Sequence, residues 1–204
     1  MRLPVVVAER PEVDPAYDSF TGCGQQLRAT MIRGLDCGLR ATRDGWWGSK
    51  RRSATTEVML VASSGGHLLQ LMQMRDEWPR SGRVWVTFDK PDARSLLGGE
   101  TVEWAYHPTN RSLRNLARNT LLAQRLIRHY CPAAIVTTGA GVAVPFCYLG
   151  RAFGVRVIYI ESYARVTKPS LTGRLVHPVA THFFVQWPAM LRHYPKARYV
   201  GHIF

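Results

Sequence analysis

A histidine placed directly after two glycines, at the end of an apolar run, is the first point where this chain carries the parts for chemistry. The stretch is EVMLVASSGGHLL, residues 57–69. Residues 58–62 have the length and composition of a buried strand, and Leu68, Leu69, Leu71, Met72 and Met74 follow at helical spacing. Between them lie Ser63, Ser64, Gly65 and Gly66, and glycine lets the chain turn tightly there. A strand–turn–helix corner leaves backbone N–H groups bare at a helix N-terminus, where they can hold an anion. An imidazole with an unperturbed pKa of about 6.5 suits a base at neutral pH. Three readings of His67 stand side by side: general base, contact to a phosphate or other ligand group, and structural cap.

A second corner has the same design. AAIVTT at 133–138 reads as a buried strand, and Gly139, Ala140 and Gly141 open the next helix. Small residues there leave the helix N-terminus uncovered, although a tight turn alone asks for the same residues. A third candidate is Glu161, which ends the strand YIE and is the only acidic residue after Glu103. An exposed carboxylate at a strand end can hydrogen-bond a ligand hydroxyl or serve as an alternative base. The plainer alternative is a salt bridge to Arg165 or Arg174. Arg165, Lys168 and Arg174 can also neutralise phosphate.

These corners need a frame. Further strands are expected at 83–88, 101–105, 156–160, 182–185 and 198–200, and helices at 93–97, 112–129, 142–153, 172–180 and 188–194. Strands alternating with helices imply a mainly parallel sheet, covered on both faces, in one Rossmann-like α/β domain over residues 54–204. If the strands before both glycine corners are central, both corners open on one edge of the sheet. In the long helix, Leu113, Leu116, Thr120, Ala123 and Ile127 form a stripe expected to face the sheet. Arg111, Arg114, Arg118, Arg125 and Arg128 lie elsewhere, on a face that can rest on anionic lipid or simply stay wet.

Residues 1–53 differ from the rest. Prolines 4, 11 and 15 break the start, and glycines are scattered up to the basic GSKRRS. A disordered basic N-terminal extension is expected. The 204-residue chain has a formal charge of +13. Residues 1–53 carry 9 Lys+Arg and 6 Asp+Glu, and 54–204 carry 18 and 8, so the excess belongs to the folded part. A polyanionic partner follows from that balance. No nucleic-acid recognition motif accompanies the charge, so nucleic acid is not the expected partner. Cys23, Cys37, Cys131 and Cys147 have no CxxC or zinc-ligand spacing, so reduced thiols and no metal site are expected. No run of 18 apolar residues and no signal peptide is present, which points to the cytoplasm.

VASSGGHLLQL, TTGAGVAVPF, VIYIESYARV, PSLTGRLV and FFVQWP with YPKA, in that order, resemble the PssD family of bacterial exopolysaccharide proteins. Those are relatives of the Alg-fourteen subunit of the eukaryotic dolichol-linked N-acetylglucosaminyltransferase. The resemblance covers nearly all of 57–204, and it implies the N-terminal half of a GT-B glycosyltransferase such as MurG. It implies an acceptor-side subunit whose partner chain binds the nucleotide-sugar, with no cofactor. The acceptor would be a lipid-linked diphosphate saccharide, met at the inner face of the plasma membrane. Inverting glycosyl transfer needs a base for the acceptor hydroxyl, and His67 and Glu161 are the candidates. Ser64, Gly65, Gly66, Gly139, Ala140, Gly141, Ser162 and Arg165 are the candidates for holding acceptor and diphosphate. A scaffold that recruits a catalytic subunit is the competing expectation, but it has no use for bare helix N-termini.

Overall fold

The computed structural model describes residues 56–78, 80–109 and 112–203. The expectation of a disordered extension over 1–53 lies outside them. Among the described residues seven strands form: β1 (Val58–Val61), β2 (Arg83–Phe88), β3 (Val102–Ala105), β4 (Ala134–Thr137), β5 (Arg156–Ile160), β6 (His182–Val185) and β7 (Arg198–Tyr199). The helices are α1 (Gly66–Met72), α2 (Pro91–Leu96), α3 (Leu113–Tyr130), α4 (Ala143–Ala152) and α5 (Leu171–Val176). Where the sequence suggested a helix over 188–194, the chain makes a 3-10 turn, Pro188–Arg192, with proline opening it.

The strands make one sheet in the order β3-β2-β1-β4-β5-β6-β7, and every pairing is parallel. β1, β2 and β4 are buried along their whole length, which is why they read as unbroken apolar runs. Alternate residues feed two cores. Met59, Val61, Ile135 and Val157 meet α3 and α4 on one face, and Leu60, Trp85, Val136 and Ile158 meet α1 on the other.

The chain winds outward from β1 to β3 and then returns to β4 on the other side of β1. The switch point is therefore between β1 and β4, where open α/β sheets leave a crevice at their strand ends. Their register pairs Val61 with Thr137, so the two glycine corners lie side by side. The Thr138 hydroxyl donates to the His67 carbonyl oxygen at 2.8 Å and ties the corners together.

The long helix is rotated from the expected stripe. Ala123 and Ile127 of that stripe are buried as expected, but Leu113 is 82% exposed, and Asn115, Asn119, Leu122 and Leu126 complete the buried face. The two asparagines decide this. The Asn115 amide donates to the Pro108 carbonyl at 2.8 Å. Asn119 accepts from the Tyr106 N–H and donates to the Tyr106 carbonyl, both at 2.9 Å. The Ser112 hydroxyl caps the helix by accepting from the Asn115 N–H at 3.3 Å.

α4 packs tightly through Gly150, where a Cβ would lie 2.4 Å from Ile135 Cδ1. Gly150→Ala is expected to lower stability by about 1–3 kcal/mol, because overpacking forces neighbours off their rotamers. A denaturant melt with an unchanged midpoint would show that α4 can shift freely. Among the described residues, no helix is long and apolar enough to cross a membrane.

Candidate functional site

The strand ends open on a cleft of about 1010 Å³. That is the size of a ligand site for a large small molecule. Ser63 and His67 enter from the corner after β1, and Ala140, Gly141 and Val144 from the corner into α4. Ser162, Arg165 and Ser170 come from the loop after β5. Lys90, His107 and Thr109 come from the segments after β2 and β3. The structure thus brings His67, Ala140, Gly141, Ser162 and Arg165 to one lining. Ser64, Gly65, Gly66, Gly139 and Glu161 do not line it.

His67 is half-buried, and its Nδ1 is buried with no hydrogen-bond partner among the described residues. Burial lowers its pKa from the usual value, and Arg165 adds to that; the Thr138 backbone and the Glu161 carboxylate act in the opposite direction. The imidazole is therefore neutral at pH 7, the form that can accept a proton.

Gly65 differs from its expected role. It has φ 81° and its N–H donates to the Asp92 carboxylate at 2.8 Å. An internal carboxylate already takes the place expected for a phosphate at that corner. Gly139 also has its N–H engaged, with the Thr137 hydroxyl at 2.9 Å. Its φ is 115°, and a Cβ there would lie 2.9 Å from the Tyr159 hydroxyl and 3.3 Å from His67 Cε1. Gly139 makes room for those two rings. Ala140 has φ 71°, a left-handed conformation that costs a non-glycine residue about 1–2 kcal/mol. Strain of this kind gathers at ligand-facing turns.

Glu161 departs furthest from expectation. It is 1% exposed, not a free carboxylate at a strand end. It accepts from the Ser162 N–H at 3.1 Å, the Ser170 N–H at 3.3 Å and the Tyr194 hydroxyl at 2.8 Å. Those donors stand where a salt bridge to Arg165 or Arg174 was the sequence's plainer alternative. A buried polar group must be bonded, and these contacts meet that need.

Sequence reasoning missed Lys90, His107, Thr109 and the apolar rim. The rim is Leu113 and Leu116 of α3 with Leu171 and Leu175 of α5. Leu171 is 72% exposed, so both helices turn leucines outward at the mouth. The signal for Lys90 and His107 was present: each follows a strand of a parallel sheet on the edge where the glycine corners open. The leucines gave no signal, because an outward leucine and a core leucine look alike in sequence.

A parallel sheet doubly wound around a strand-end crevice is a Rossmann-like α/β fold, and solved structures that share it include the GT-B glycosyltransferase MurG. MurG of Acinetobacter baumannii superposes with a TM-score of 0.56 and 19% identity, over 66% of this chain and 42% of that one. UDP-N-acetylglucosamine 2-epimerase from Rickettsia bellii gives 0.58 and 9%, over 72% and 45%. At these identities the likeness is one of fold alone, and the chain spans less than half of either structure's length. Sequence relatives are more specific. A UDP-N-acetylglucosamine transferase subunit of Yarrowia lipolytica is 36% identical over 178 residues, 74% of this chain and 82% of that protein. Its counterpart of Homo sapiens is 33% identical over 177 residues, 72% and 82%. The family described as oligosaccharide biosynthesis protein Alg14 like matches residues 105–203. This chain belongs to the Alg14 family.

Proposed function

We propose that the chain is the acceptor-binding, membrane-associated subunit of a two-chain glycosyltransferase. In this reading it presents a polyprenyl-diphosphate-linked saccharide to a nucleotide-sugar held by the partner subunit. The names of its relatives point to UDP-N-acetylglucosamine as the donor, and the PssD resemblance points to exopolysaccharide or capsule synthesis. The observation that carries the reading is the make-up of one cleft. A neutral His67 sits inside it, Lys90 and Arg165 supply cations, and four leucines rim it. A ligand with a sugar hydroxyl, a diphosphate and an apolar tail has those three needs.

The chemistry follows from the residues. His67 accepts the proton of the attacking acceptor hydroxyl as the bond to the donor sugar forms. The nucleoside diphosphate departs on the partner's side. Arg165 and Lys90 offset the acceptor's own diphosphate charge. Leu113, Leu116, Leu171 and Leu175 meet the polyprenyl chain where it leaves the bilayer, with the arginines of α3 beside anionic headgroups. In this reading the chain works at the cytoplasmic, inner face of the plasma membrane. A scaffold that only recruits the catalytic subunit is the weaker reading, since recruitment has no use for the cleft.

The test is reconstitution with the donor-binding subunit on vesicles carrying the lipid acceptor. The complex is expected to transfer sugar, and the single purified chain to transfer none. Robust transfer by the single chain, or an equally active complex when the cleft is blocked, would defeat the proposal.

A further inference from the structure

The loop of residues 162–170, between β5 and α5, is exposed from 163 to 168, yet it is tied down along its length. Glu161 Oε1 accepts from the Ser162 N–H and Oε2 from the Ser170 N–H, so one carboxylate joins the first and last residues of the loop. The Tyr163 N–H donates to Gln70 Oε1 at 3.2 Å, and its carbonyl accepts from Trp187 Nε1 at 2.7 Å. The Arg165 N–H donates to the Ser162 carbonyl at 2.9 Å. The Thr167 carbonyl accepts from Arg192 Nη2 at 3.1 Å.

The carboxylate is fixed in turn. The Tyr194 hydroxyl donates to Oε2, and burial together with the Glu161 charge keeps that phenol protonated by raising its pKa. At Gly173 a Cβ would lie 2.3 Å from Oε2 and 2.5 Å from the Tyr194 hydroxyl, so only glycine leaves room for the pair. The Ser170 hydroxyl accepts from the Gly173 N–H at 2.8 Å and meets the Tyr159 hydroxyl at 3.2 Å.

Exposed loops are ordinarily loose, and a buried carboxylate is costly unless its oxygens are bonded. Here the two facts answer each other. Of the loop's residues, Ser162, Ala164, Arg165 and Ser170 line the cleft. We propose that Glu161 is a positioning residue: with Tyr194 it clasps this strap so that Arg165 is held ready over the cleft for a diphosphate. Holding the backbone in advance removes part of the ordering cost that a flexible arginine pays on binding. The proposal rests on the acceptor-site reading for the identity of the anion, and the clasp itself rests on the geometry.

The full chain tests it with inorganic pyrophosphate as the probe, so glycosyl transfer is not needed. In Glu161→Gln one N–H donor must face an amide NH₂; Tyr194→Phe is the milder variant if the first fails to fold. Each is expected to speed amide exchange in residues 162–170 at least about tenfold while β1 and β4 keep their protection. Each should weaken pyrophosphate binding about tenfold, as should Arg165→Ala, the scale of one charge-assisted hydrogen bond. Combining Glu161→Gln with Arg165→Ala should cost no more than Arg165→Ala alone, since both act through one side chain. Arg151→Ala, exposed in the last turn of α4, should leave strap exchange and pyrophosphate binding unchanged. Additive losses, or exchange that rises equally in the sheet, would overturn the proposal. So would a reconstituted Glu161→Gln complex that loses turnover while strap exchange and pyrophosphate affinity stay at wild-type values, the pattern of a base. Pyrophosphate results as expected from a chain that supports no transfer with its partner would sink the functional reading and leave the clasp standing.

Discussion

His67→Ala, in the two-chain complex, is expected to lower turnover by about 10²–10⁴ while the apparent acceptor affinity stays within about threefold. That is the range for losing a general base, and a group that acts only on the proton in flight changes kcat and not ground-state binding. Its pH profile gives an independent check. Burial holds the His67 pKa below its ordinary value, so the neutral form persists to lower pH. The acid limb of kcat/KM should therefore fall below pH 6.5, with activity lost as pH drops through the folded-state pKa. The stability linkage has the same sign. Because the unfolded chain binds the proton more readily, the His67 contribution is present above the unfolded pKa and is lost as pH falls. If His67 is instead a phosphate contact, affinity falls and turnover recovers at saturation. Unchanged kinetics in a folded complex would remove it from the site.

Gly141→Val should act on binding instead. A Cβ at this position would lie 3.1 Å from Thr109 Oγ1 and 3.2 Å from Thr109 Cβ. Both residues line the cleft, so two further methyl groups must push the Thr109 segment aside or fill the space themselves. Overpacking of this kind costs about 1–3 kcal/mol, which corresponds to roughly tenfold to a hundredfold in acceptor affinity when the ligand needs that space. Turnover at saturating acceptor should stay within a few-fold, and Gly141→Ala should show a smaller version of the same effect. A melt within a few degrees of wild type separates a filled cleft from a failed fold. A Gly141→Val complex with wild-type acceptor affinity would place the acceptor elsewhere.

The contrast between what the sequence revealed and what it hid has a physical basis. The sheet was legible because parallel strands buried on both faces are continuous apolar runs, and VMLV and AIVT carry no other message. The two glycine corners were legible because their residue types are dictated by backbone geometry within a few positions. Glu161 was misread because its environment is assembled from Ser170 and Tyr194, and no local pattern announces that a carboxylate will be bonded from that far along the chain. Gly65 was misread for the same reason: Asp92 reaches its N–H from another helix. The face of α3 was misjudged because hydrophobicity ranks leucine above asparagine at a buried position, and specific amide bonds reversed that order.

That reversal on α3 has a consequence for the cleft's mouth. An exposed leucine forgoes about 1.5–3 kcal/mol that burial would return, so a helix free to roll about its axis would carry Leu113 toward the sheet. The Asn119 amide, trading two bonds with the Tyr106 backbone, behaves as one more rung of the ladder after β3. It works as a rotational stop. Rolling the helix would strand a buried amide and two backbone groups at once, a loss comparable to what the leucines would gain. The greasy lip thus stays outward because polar bonds on the opposite side of the same helix keep it from relaxing inward.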